Sequence, residues 1–89
     1  MRAIITVIGK DKVGIIAAVS SLLAQQNVNI LDITQTILSG YFTMVMLTDT
    51  AQAKLPFAEL VSLLQSEGTR MDLDIHAQRE DIFHAMHRI

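Results

Sequence analysis

Residues 28–47 read Val28-Asn29-Ile30-Leu31-Asp32-Ile33-Thr34-Gln35-Thr36-Ile37-Leu38-Ser39-Gly40-Tyr41-Phe42-Thr43-Met44-Val45-Met46-Leu47. Good strand formers crowd both sides of Ser39-Gly40, a compact turn pair, so the stretch predicts a β-hairpin. One strand covers Val28 to Leu38 and the returning strand covers Tyr41 to Leu47. Upstream, Gly14 to Gln26 changes to helical spacing. Ile16, Val19, Leu22 and Leu23 share one face, with Ser20, Ser21 and Gln25 turned away. Ahead of that helix, Ala3 to Ile8 is a short apolar run rich in β-branched residues that ends at Gly9, which predicts a buried central strand. In the loop from Gly9 to Gly14, Asp11 is the expected N-cap, its carboxylate accepting from first-turn N–H groups.

Downstream, Pro56 occupies a first-turn position, and Phe57, Leu60, Val61 and Leu64 repeat at helical spacing. Gly68 is the expected stop of that helix. Met71, Leu73, Ile75 and Ala77 then alternate with Asp72, Asp74, His76 and Gln78, a half-buried strand. Arg79 to Ile89 reads as a final short helix with Ile82, Phe83, Met86 and Ile89 on one side.

A hairpin flanked by strand–helix before and helix–strand after is βαββαβ. Right-handed crossovers leave a gap that the other strand pair fills. The expected fold class is therefore α+β, a ferredoxin-like sandwich. Its antiparallel four-stranded sheet has the order 4-1-3-2, with two helices on one face and an extra C-terminal helix. Residues 1–89 form one domain, 1–78 its core and 79–89 the added helix. The second strand lies at an edge, yet carries no Lys or Pro and a single charge, Asp32. Edge strands in soluble proteins are normally protected. This one is expected to pair with the same strand of a second copy, giving a homodimer with one eight-stranded sheet. The alternative is that a bulge or the C-terminal helix covers it.

The 89 residues are 51% hydrophobic and 18% charged, a globular composition. A net charge of −2 leaves no basic excess for a phosphate backbone, so nucleic acid is not an expected partner. The absence of Cys excludes disulfides, thiolate metal sites and a cysteine nucleophile. The longest apolar run, Ile15 to Val19, falls far short of the roughly 20 residues a bilayer needs. No signal-peptide layout opens the chain, and the expected compartment is the cytoplasm.

The run Ile8-Gly9-Lys10-Asp11-Lys12-Val13-Gly14-Ile15-Ile16, followed by Leu23 and Asn27-Val28-Asn29-Ile30, resembles the signature of ACT domains. These are small ligand-sensing modules that usually regulate amino-acid metabolism. The resemblance extends over roughly Met1 to Gln78 and is strongest to stand-alone, single-domain bacterial ACT proteins. Tandem ACT proteins of the glycine-cleavage repressor type are a more distant likeness. It implies an amino acid bound between the first loop and helix of one copy and the second strand of its partner. On this chain those positions are Gly9, Lys10, Asp11, Gly14 and Ile15 on the loop side, and Asn29 and Ile30 on the strand side. It also implies regulation of a metabolic enzyme or regulator, with no cofactor. Two departures are Val13, where many members carry Pro, and Asp11, where amino-acid binders carry Asn.

The residue chemistry at the same spot is compatible with a ligand. Gly14 clears a side chain from the first helical turn, whose free N–H groups and positive end suit a carboxylate. Asn29 offers both donor and acceptor. A second reading gives Asp11 to capping, Gly14 to packing against the second strand and Asn29 to a turn.

Other chemistry is excluded or weak. Gly9 to Gly14 has phosphate-loop spacing, but Ile15-Ile16 follow where Lys and Ser/Thr are needed. Small phosphatases on this fold hold phosphate with a first-loop Arg, and this loop has only Lys10 and Lys12. His84 and His87 could share a helix face with Glu80 or Asp81, a pattern more often solvated than metal-binding. Met44, Met46, Met71 and Met86 read as core filling. The expected function is a non-catalytic regulatory module sensing an amino acid, the alternative a purely structural dimeric interaction module without a metabolite.

Overall fold

Alternating patterns and two helical stripes fold as the sequence implies, in the order β1 (Arg2–Lys10), α1 (Ile15–Gln25), β2 (Asn29–Leu38), β3 (Tyr41–Asp49), α2 (Phe57–Arg70) and β4 (Leu73–Arg79). The structure is a computed structural model and describes residues 1–81. The strands form one sheet in the order β2-β3-β1-β4, which from the opposite edge reads 4-1-3-2. Every neighbouring pair is antiparallel.

Register divides the sheet into two faces, because side chains opposite one another share a side. Ile33, Met46, Ile5 and Ala77 form one row, and Gln35, Met44, Val7 and Ile75 the next. On this face Ile5, Val7, Met44, Met46 and Ile75 pack with Val19 and Leu23 of α1 and Leu60 and Leu64 of α2. The β3 methionines are thus core filling, as their alternation implies. Thr48 is the buried polar side chain of this core, and its hydroxyl donates to the Ala3 carbonyl at 2.9 Å. On the other face, β1 contributes Ile4, Thr6 and Ile8; Ile4 is buried, whereas Ile8 is 41% exposed.

Two expected helix boundaries are corrected. Asp11 does not cap α1: the N-cap is Gly14, at φ 91°, and no side-chain cap bond is made. The chain runs on through Lys12 and Val13 and turns into the helix at the left-handed Gly14, which leaves Asp11 too far back to serve the first-turn donors. Gly68 does not stop α2 but lies buried within it. A Cβ there would lie 2.9 Å from both Ile75 Cγ1 and the Leu73 carbonyl oxygen, so glycine permits the close approach of α2 to β4. The helix ends at Arg70, and Asp72 at φ 60° turns the chain into β4. Arg79, expected in a helix, ends β4. Glu80 and Asp81 are helical, and residues 82–89 of the expected C-terminal helix lie outside the described residues.

Candidate functional site

The loop from Asp11 to Gly14 is fastened on both sides. The Asp11 backbone N–H donates to the Gly40 carbonyl at 2.8 Å, tying the loop to the hairpin turn. Lys12 Nζ donates to the Met71 carbonyl at the C-terminal end of α2. That lysine charge is thereby engaged by a helix end that carries partial negative charge.

Gly14 then delivers the chain into α1. No atom lies within 4 Å of the place a Cβ would take, so the glycine serves its positive φ and leaves open space beside the helix. The first intrahelical bond runs from the Ala18 N–H to the Gly14 carbonyl at 2.9 Å. With no side-chain cap and no acidic residue in the first turn, the N–H groups of Ile15, Ile16 and Ala17 lack side-chain acceptors.

These groups open into a crevice of about 500 Å³ between the loop, the start of α1 and the end of the hairpin. This volume is within the range of small-molecule pockets, roughly 300–1,000 Å³. Gln35 and Ile37 of β2 and Phe42 of β3 form the opposite wall. The Asp11 carboxylate and the Gln35 amide have no hydrogen-bond or ion-pair partner among the described residues.

The residues singled out in the sequence separate into three groups. Asp11, Gly14 and Ile15 line the crevice together. Gly9 lies apart from that lining, packed so closely on β4 that a Cβ would come 2.6 Å from Leu73 Cδ2. Lys10 ends β1 on the face away from the helices, exposed, across from Tyr41. Asn29 and Ile30 open β2, and the crevice residue Ile37 lies near its other end. At about 3.3 Å per residue they are roughly 23–26 Å away, so one copy alone does not bring them to the loop. Gln35, Ile37 and Phe42 were not anticipated. The hairpin register holds the signal: Gly9, Phe42 and Ile37 are cross-strand partners, and the residue after Gly40 fixes that alignment.

β2 is exposed along almost its whole length, with only Ile30 half-buried. A bulge between Ile30 and Asp32 shifts its register on β3. Beyond the bulge, Ile33 and Ile37 on the helix-bearing face stand 39% and 54% exposed, and Leu38 on the opposite face 74%. His76 pairs with Asp74 at 2.9 Å on the exposed surface of β4. Among the described residues, no group of three or more His, Cys, Asp or Glu could hold a metal. No helix among them is long and apolar enough to cross a membrane.

Comparison with known proteins matches residues 2–78 to the model of the ACT domain. A UPF0237 protein of Listeria innocua is 52% identical over 89 residues, covering all of both chains. A UPF0237 protein of Clostridium perfringens is 53% identical over the same span, again covering both completely. The solved structure of an ACT domain protein from Streptococcus pneumoniae superposes with a TM-score of 0.83 at 42% identity, covering 98% of each chain.

Proposed function

The chain belongs to the ACT domain family, and from that premise we propose that it is a non-catalytic regulatory module, a homodimer that senses an amino acid. A single domain over residues 1–89 carries this role in the cytoplasm, and a metabolic enzyme or regulator reads its state. The observation that carries the reading is that β2 is both an outer strand of the sheet and a wall of the crevice. Gln35 and Ile37 belong to each. An unpaired strand with exposed Ile33, Ile37 and Leu38 invites a second copy. A twofold centred near Ile33 runs the two β2 strands antiparallel and lays the partner's start of the strand against the end of this one. Asn29 and Ile30 of one copy then approach Asp11, Gly14, Ile15 and Ile37 of the other. The crevice becomes a shared site, which reconciles the two groups of residues that one copy keeps apart. Gly9 and Lys10 flank it from within the loop's own strand.

A ligand bound between subunits favours one dimer arrangement by its difference in affinity between arrangements, and the partner protein responds to that shift. The test couples sedimentation with thermal melting in the presence of each of the twenty amino acids. The expected result is a dimer at micromolar concentration and a melting shift with a subset of them. A ligand at a hundredfold its Kd stabilises the fold by about 2.7 kcal/mol. A dimer that no amino acid stabilises would instead support a purely structural interaction module.

A further inference from the structure

We propose that residues 82–89 dock on the sheet face opposite the helices and close its Ile4 end against water, so that this face is covered from within the chain. Nothing in this depends on a ligand in the crevice.

Ile4 is the residue that asks for a cover. It lies on the face that α1 and α2 do not occupy and outside the core packed beneath them, yet it is only 8% exposed. Ile8, on the same strand and the same face, is 41% exposed. Both have a strand on either side: Ile4 stands between Leu47 and Gln78, Ile8 between Thr43 and Asp74. Side chains stand roughly perpendicular to a sheet, so neighbours shield the flanks of each and leave its tip to solvent. A buried tip needs something above it. Val45 and Leu47 near Ile4 are half-buried, whereas Tyr41 and Leu38 at the far end of the face are exposed. Beside Ile4 a groove of about 120 Å³, lined also by Asp32, Thr34, Val45 and Leu47, has room for an added side chain.

The course of the chain supplies the occupant. Arg2 shares the open face with Ile4, two positions along β1, and its guanidinium pairs with Glu80 at 3.1 Å. An exposed pair of this kind adds little stability, but it fixes a direction. Past the end of β4 the chain is held at the Ile4 end of the open face just before residue 82. Residues 82–89 then bring Ile82, Phe83, Met86 and Ile89, apolar side chains that gain by leaving water. Even at the 1.5 Å per residue of a helix, this segment reaches about 12 Å, and stepping from β4 over β1 to β3 takes about 10 Å. Ile4, Val45 and Leu47 come within that reach. Tyr41, six positions along β3 from Leu47, is about 20 Å further on, which matches its exposure. A second copy stacked on this face is the competing cover. Ile4 is already buried in a single chain, and that favours the chain's own segment.

The chain has no cysteine, so a single introduced thiol reports its own exposure. Ile4→Cys, Ile8→Cys and Val7→Cys, each in the full chain, are compared by their rates of reaction with a water-soluble thiol reagent. Ile4→Cys is expected to react roughly tenfold more slowly than Ile8→Cys. Adding Phe83→Asp should speed Ile4→Cys by roughly fivefold or more, while Val7→Cys, beneath the helices, stays protected. Met86→Asp should act in the same direction. An Ile4→Cys rate that neither aspartate changes would show that sheet neighbours alone shield Ile4, and would overturn the assignment. Equal loss of protection at Val7→Cys in both variants would overturn it too, because the segment would then support the helix-bearing core and not this face. Protection of Ile4→Cys that disappears on dilution to the monomer, followed by sedimentation, would give the cover to a second copy instead.

Discussion

The backbone N–H of Ile33 donates to Asp32 Oδ1 at 2.9 Å, so a main-chain donor in the middle of β2 is satisfied by the preceding side chain and not by β3. Main-chain groups alternate between the two sides of a strand. Ile33, Gln35 and Ile37 therefore turn theirs to the outer edge, and Thr34 and Thr36 turn theirs to β3. The one charge on this edge occupies one of the donors that a second copy of β2 would use. Under the proposed pairing of two β2 strands, Asp32 therefore acts as a brake.

Removing the brake should tighten the dimer. Asp32→Ala frees the Ile33 donor and abolishes the approach of two like charges across a twofold near Ile33. One net hydrogen bond is worth about 0.5–1.5 kcal/mol, so the dimer Kd should fall by roughly threefold or more. The residual salt dependence of association should fall with it. Sedimentation equilibrium at low and high salt measures both. A weaker dimer in Asp32→Ala would place the contact elsewhere.

Ile33→Lys should have the opposite effect. The side chain is already 39% exposed, so the fold loses little, but a lysine at the centre of an edge opposes strand addition. The variant is expected to sediment as a monomer with an unchanged circular dichroism spectrum. A persisting dimer would exclude β2 pairing as the mode of assembly.

Gly68 supplies a test of the helix–sheet contact. If nothing pressed on it, alanine at this position within α2 would be tolerated and would gain about 1 kcal/mol of helix propensity. Within the helix, its Cβ collides with Ile75 and the Leu73 carbonyl. Overpacking of this kind costs about 1–3 kcal/mol and is expected to outweigh the gain. Gly68→Ala should melt lower, by about 4–8 °C for each kcal/mol lost. A higher melting point would show that α2 shifts freely against β4.

The architecture was legible because each element carries a periodic pattern: alternation about Ser39-Gly40, helical stripes through Val19 and Leu64, alternation again through Leu73 and Ile75. These signals are local, and the crossover rule turns them into one topology. Gly68 misled because a glycine near the end of a helical stripe looks the same whether it ends the helix or admits a neighbour. Only the distance to Ile75 separates the two. Asp11 misled because capping depends on the residue where helical dihedrals begin, and the left-handed turn at Gly14 delays that point. The far wall of the crevice escaped notice because Gln35, Ile37 and Phe42 reach it through cross-strand register, a long-range relation that composition does not carry.

Thr48 tests the one polar side chain buried in the core among the described residues. Its hydroxyl donates to the Ala3 carbonyl where β3 and β1 pair. Thr48→Val keeps the shape and removes the donor, so the loss should be about 1 kcal/mol, read as a lower urea midpoint with unchanged slope. A change in slope would mean that the substitution alters the unfolded state instead.

Gly14 separates backbone strain from ligand exclusion. At φ 91° an alanine is strained by roughly 1–2 kcal/mol, although its methyl group meets no atom of the chain. Asparagine tolerates left-handed conformations better, so Gly14→Asn should recover part of the stability that Gly14→Ala loses. Both side chains stand in the crevice, and both should abolish the melting shift produced by the tightest amino acid. Thermal melts with and without that amino acid give the two effects side by side. Equal stability of the two variants would refute the strain argument. A full ligand shift in either would show that the space beside Gly14 is not where the ligand sits.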